Sequence, residues 1–143
     1  GQTPGSFQDT DFERVKLTFD VNSLGPMRVT QALLPNVLAS ESKTIVHISS
    51  TMGSIANNRG GYYGYRASKA ALNMLNSSLA LELADKGVTS VALHPGWVQT
   101  RMGGSGADIS VDVSGGGLLS GIADLTPEKT GGFYDYQGKE LPW

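Results

Sequence analysis

The chain has 143 residues, 17% of them charged, and a formal net charge of −2. That length suits one compact domain, 1–143, and the near-neutral charge gives no electrostatic case for nucleic acid or an anionic membrane. No apolar run approaches the ~18 residues of a membrane-spanning helix, no signal peptide is visible, and the absence of cysteine excludes disulfides and thiolate metal sites.

A cytoplasmic location is the expectation. His47 and His94 are the only histidines, and neither has a companion at ligand spacing, so no metal site is expected. The chain opens on Gly1 without Met, as a processed product or a fragment would.

Gly1–Asp9 is polar and turn-rich and reads as a loop. Thr10, Asp11, Phe12 and Glu13 fit a capping box with Thr10 as N-cap. A helical stripe follows through Phe12, Val15, Phe19 and Asn22, and continues through Met27, Thr30, Leu34 and Leu38. Pro26 lies between the two halves. It lacks an N–H, so the Asn22 carbonyl loses its helical partner and a kink with a free acceptor is expected there. A simple proline kink without function is the alternative.

Thr44–Ser49 is a short β-branched run and reads as a buried parallel strand, with His47 as a hydrogen-bonded structural residue. Ser50 follows at the strand's C-terminal end, where open α/β sheets place ligands. Its hydroxyl either donates to a substrate oxygen or satisfies the turn backbone. A helix from about Gly64 to Lys86 ends at Gly87, and Val88–Leu93 is a second parallel strand. Strand, helix and strand make a βαβ unit.

On that helix Tyr65 and Lys69 are four apart and share a face. A phenol beside an ammonium is a proton-transfer pair, because the cation favours the phenolate. An ordinary solvated pair is the competing interpretation. Tyr63 has Ala67 at the same spacing, which makes Tyr65 the better acid.

Pro95 and Gly96 leave the second strand, Gly96 allowing a ligand close to the backbone. Arg101–Gly117, rich in Gly and Ser, suits a mobile loop over a site. Leu118–Leu125 reads as a short helix, Thr126–Lys129 as a capped turn, and Phe133–Tyr136 as a last strand. Leu141–Trp143 reads as a tucked apolar tail.

Asn22 within Val21-Asn22-Ser23-Leu24-Gly25, Ser50 after a strand, Tyr65-Arg66-Ala67-Ser68-Lys69, and Pro95-Gly96-Trp97-Val98-Gln99-Thr100 occur in that order. The chain thereby resembles the short-chain dehydrogenase/reductase family. It looks most like the carbonyl-reductase subgroup that includes the C-factor and sniffer proteins, through Gly53-Ser54-Ile55, Gly60–Arg66 and the ending Gly132–Trp143.

The resemblance implies an α/β fold: a truncated Rossmann-type doubly wound sheet of about three parallel strands with flanking helices. It implies NADP or NAD as cofactor and a small ketone or aldehyde as substrate. Tyr65 would be the general acid/base. Lys69 would support Tyr65 and hold the nicotinamide ribose. Ser50 would polarise the carbonyl, and Asn22 would anchor a water near Lys69. Pro95, Gly96, Val98 and Thr100 would line the nicotinamide, with Tyr65 and Lys69 also touching the cofactor.

The family's Thr-Gly-x-x-x-Gly-x-Gly turn and Asn-Asn-Ala-Gly stretch are absent. By resemblance this is a C-terminal portion, without the adenine and pyrophosphate sites. In the family, the strand at Thr44–Ser49 pairs with one that lies in the absent part. A homo-oligomer or a complementary N-terminal chain is expected to cover the exposed surface. Two other functions fit the same residues: a cofactor-independent hydrolase using Ser50 with Tyr65 and Lys69, and a non-catalytic oligomeric interaction protein.

Overall fold

A computed structural model describes residues 6–143; the first part of the loop expected over Gly1–Asp9 lies outside the described residues, and Phe7–Asp9 is a 3₁₀ turn. Helix α1 (Phe12–Phe19) leads through a π turn at Asp20–Leu24 into α2 (Gly25–Ala39). Strand β1 (Thr44–Ile48) then connects through α3 (Tyr63–Leu83) to β2 (Thr89–His94). Helix α4 (Val111–Ala123) and strand β3 (Phe133–Asp135) complete the order. The strands form one parallel sheet ordered β1-β2-β3, with Thr44 opposite Thr89 and Ala92 opposite Phe133. Among the described residues no helix is long and apolar enough to cross a membrane.

The central strand is the most buried, as a parallel strand covered on both faces must be; Thr89 through Leu93 are all buried. Ile45, Leu83 and Val88 form a core cluster, with Leu34, Val37, Leu38 and Leu79 packed against it. Trp143 stacks on the buried ring of Phe133, centroids 5.5 Å apart, and its carbonyl accepts the Ala56 N–H. The tail is thus fastened through Trp143, though Pro142 and Trp143 both keep an exposed side.

Two local expectations are corrected and two are refined. The N-cap of α1 is Asp11, not Thr10. The Asp11 carboxylate accepts the N–H groups of both Glu13 and Arg14, while the Thr10 hydroxyl turns back to the Ser6 carbonyl. Around Pro26 the expected irregularity takes the form of a widened turn. Gly25 N–H reaches back to Asp20 O in a π turn, and Pro26 falls in the first turn of α2, where no N–H is required.

The segment read as a mobile loop over Arg101–Gly117 is built structure. Gln99 N–H donates to Ile109 O and Ile109 N–H to Trp97 O, closing the first part on itself. Its second part is the start of α4, capped by the Ser110 hydroxyl, which accepts the Val113 N–H. Finally, Gly96 is close-packed on the side where a Cβ would stand. A Cβ there would lie 2.5 Å from Ile109 Cδ1 and 3.1 Å from the Tyr136 ring, and its φ of +87° is one that glycine adopts without strain.

Candidate active site

The C-terminal ends of β1 and β2 and the first turns of α3 bring the chemistry-bearing residues together. Tyr62, at φ +49°, redirects the chain into α3, so Tyr65, Ser68 and Lys69 fall on its first two turns. The short turn after β1 lies directly against this helix. A Cβ on Gly53 would come within 2.8 Å of the Lys69 backbone. That absence of a side chain lets the turn that Ser50 caps lie against α3.

Ser68 is the node of the site. It is fully buried; its hydroxyl donates to the Tyr65 carbonyl at 2.8 Å and accepts from Asn22 Nδ2 at 3.0 Å. The Ser23 hydroxyl donates to the Ser68 carbonyl at 2.7 Å. The π turn therefore grips α3 between Tyr65 and Lys69. An extra residue in a helical turn aims two successive side chains, Asn22 and Ser23, at one neighbour.

Lys69 Nζ stands 6.0 Å from the centroid of the Tyr65 ring and donates to the Ile48 carbonyl at 2.9 Å. Burial pushes the Lys69 ammonium below its ordinary range. Tyr63, the competing phenol, is exposed and packs edge-on against Phe7, centroids 5.6 Å apart. Ser50 is buried, and its hydroxyl oxygen accepts the Met52 N–H at 3.1 Å, capping the 3₁₀ turn Thr51–Gly53. The turn-satisfying role is thus real, and accepting one bond leaves a hydroxyl able to donate another.

On the second strand, the Pro95 carbonyl accepts from the buried Ser114 hydroxyl at 2.6 Å, fastening α4 to the turn. Thr100 Oγ1 accepts the Gly103 N–H, and Val98 bridges Ile109. His94, just before Pro95, has a buried Nδ1 without a hydrogen-bond partner. Burial lowers its pKa, partly offset by Asp135. Among the described residues no cluster of three metal-ligating side chains occurs.

Tyr65 and Lys69 thus share a face of α3, Asn22 bonds the intervening Ser68, and Ser50 caps the turn whose Gly53 packs on Lys69. Pro95, Gly96, Val98 and Thr100 follow the neighbouring strand. Sequence reasoning missed Ser68, Ser23, Gly53 and Ser114. Ser68 stands inside the Tyr-x-x-x-Lys spacing and was visible there. Nothing in the sequence marks the Ser114–Pro95 bond, which joins positions far apart in the chain.

Known proteins share the sequence and the fold. The short chain dehydrogenase family profile matches residues 1–108. C-signal of Myxococcus xanthus is 48% identical over 136 residues, covering 94% of this chain and 82% of that protein. The carbonyl reductase Sniffer of D. melanogaster superposes with a TM-score of 0.94 at 35% identity, covering 99% of this chain and 62% of that one. An NADPH-bound carbonyl reductase from chicken fatty liver gives 0.91 at 32% identity, with 100% and 62% covered. The chain therefore spans under two thirds of these solved reductases. A parallel sheet of this order, a profile match over most of its length and nearly half of the aligned positions shared with one relative lead to one conclusion: the chain belongs to the short-chain dehydrogenase/reductase family.

Proposed function

We propose that this chain carries the proton-transfer and carbonyl-binding part of a nicotinamide-dependent carbonyl reductase. The Ser68 node supports this most. It ties Asn22 and Tyr65 together one residue from Lys69, at the sheet end where ligands bind. Tyr65 gives its phenolic proton to the oxygen of a small ketone or aldehyde, and Ser50 donates a hydrogen bond to the same oxygen. Asn22 anchors a water beside Lys69.

The nicotinamide-ribose end of NADP or NAD fits the residues present. A half-buried ammonium has three donors, of which the Ile48 carbonyl takes one, so Lys69 can hold ribose hydroxyls. Pro95, Gly96, Val98 and Thr100 line the ring. When bound, the cofactor supplies hydride to the carbonyl carbon. Among the described residues no strand, glycine-rich turn and helix together offer a pyrophosphate cradle. Each missing charge-assisted bond weakens binding by about 1.5–3 kcal/mol. The hydrolase alternative gains nothing from the geometry, because Lys69 faces the Ile48 carbonyl as its hydrogen-bond partner.

Titration of the folded chain with NADPH and NADH, read by nicotinamide fluorescence, is expected to show weak binding. Tyr65→Phe should keep that binding and lower any ketone reduction at least ~100-fold. A folded chain that neither binds nor reduces would overturn the reading. It would favour a second one, a non-catalytic role, which draws support from C-signal: that relative's name describes a signal, and this chain spans 82% of it.

A further inference from the structure

The backbone of β1 faces two ways. Thr89 N–H donates to the Lys43 carbonyl, and Ser49 N–H donates to the Leu93 carbonyl. The odd-numbered residues of this stretch therefore direct their backbone groups toward β2. Thr44, Val46 and Ile48 direct theirs to the opposite side, where no strand lies among the described residues. The Ile48 carbonyl is thus an acceptor on an open parallel edge. Lys69 Nζ covers it at 2.9 Å.

We propose that Lys69 reports the occupancy of this edge. A parallel extended strand docked along β1 places a backbone N–H on the Ile48 carbonyl and displaces the ammonium, which is then available to ribose hydroxyls. With the edge open, the ammonium stays on the carbonyl and the ribose competes with it. The occupant is a strand from the part of the family fold that residues 6–143 do not include, in the same polypeptide or on another. Two observations select it. The solved reductases extend well beyond the 62% that this chain spans. Residues facing the edge also offer both a donor and an acceptor at Val46 and Ile48, the pattern a parallel strand needs. The ribose half of this proposal rests on the reductase reading above; the displacement of Lys69 does not.

The test uses synthetic peptides that tile the β-branched runs in the part of the Sniffer sequence this chain does not span. The side-chain ammonium signal of Lys69 is followed by NMR in the full chain, assigned by its loss in Lys69→Met. Peptide binding should shift that signal and tighten reduced nicotinamide mononucleotide, a ligand that needs no pyrophosphate cradle, by about tenfold. Lys69→Met should abolish the coupling while still binding peptide. Val46→Pro, which deletes an edge N–H outside the β1–β2 ladder, should weaken peptide binding and leave the Lys69 signal of the free chain in place.

A peptide set in which none binds, or binding that does not move the Lys69 signal, overturns the proposal. So does a shift that follows chain concentration without peptide, since a second copy would then own the edge. A shifted Lys69 signal with no mononucleotide binding in either state supports the displacement and counts instead against the reductase reading. Mononucleotide binding that ignores a bound peptide leaves that reading standing and refutes the coupling.

Discussion

Ser68 shows how much one hydroxyl can organise. It accepts from the π turn and donates within α3, so removing it leaves the half-buried Asn22 amide without this partner. Ser68→Ala should destabilise the chain by about 1–3 kcal/mol, the cost of an orphaned donor. Asn22→Ala should cost less after Ser68→Ala than before it. A double-mutant cycle by urea unfolding should return about 0.5–2 kcal/mol of coupling; strictly additive losses would remove Ser68 from the node. The Tyr65–Lys69 pair was legible because it needs only the helical repeat. The Ser68–Asn22 bond was not, because it joins residues 46 positions apart. Gly53 was legible as a turn residue; that its missing Cβ admits α3 required the packed structure.

At the scale of elements, the strands were the easiest to read. Thr44–Ile48 and Thr89–His94 are rich in β-branched and apolar residues; β2 is buried from Thr89 through Leu93, while β1 alternates, with Ile45 and His47 buried and Ile48 exposed. Helix α4 was half hidden, because Gly115, Gly116 and Gly117 lower helix propensity. Tertiary contacts override that preference: the Ser110 cap, the Ser114–Pro95 bond and the approach of Gly117 to Tyr136 hold the segment helical. Helix α3 carries a polar ladder of Asn73 and Asn76 that the sequence does not mark. Both are buried. Asn73 Oδ1 accepts from the Ser49 hydroxyl at 2.5 Å, and Asn76 Oδ1 accepts from Ser90 at 2.8 Å and meets His47 Nδ1 at 2.9 Å.

That ladder makes the fold sensitive to acid. His47 Nε2 stands 3.0 Å from the Thr30 hydroxyl, so the neutral ring, donating from Nδ1 and accepting at Nε2, satisfies both partners. Burial lowers the pKa of His47, and of His94, below the ordinary 6.5. Below pH 6.5 the unfolded chain therefore binds more protons than the folded one, and stability falls as pH drops from there toward the folded values. Above it, both states are neutral and the contribution is flat. Urea midpoints at about pH 7.5 and about pH 5.5 should differ in that direction, and His47→Gln should flatten part of the slope. An unchanged slope in the variant would assign the effect elsewhere.

For the molecule as a whole, the unbalanced feature is its surface. Leu17 and Val21 on one stretch, and Val29 and Leu33 on the next, keep 52–63% of their area exposed. Leu81 of α3 is 80% exposed. Exposed apolar side chains in this number, together with an open sheet edge, favour association, and a net charge of −2 provides little repulsion against it. The chain should therefore self-associate, with a weight-average mass in sedimentation velocity that rises with concentration. The two surfaces predict different remedies. If the helices are responsible, Val29→Lys combined with Leu33→Lys should weaken association more than ~10-fold, since burying each such side chain is worth about 1.5–3 kcal/mol. If the β1 edge is responsible, those variants should change little and Val46→Pro should act instead, and a second copy, not a strand from the missing part of the fold, would own that edge. A mass that stays monomeric across the whole concentration range would contradict both, and would mean that the exposed apolar side chains are too dispersed to act as one patch.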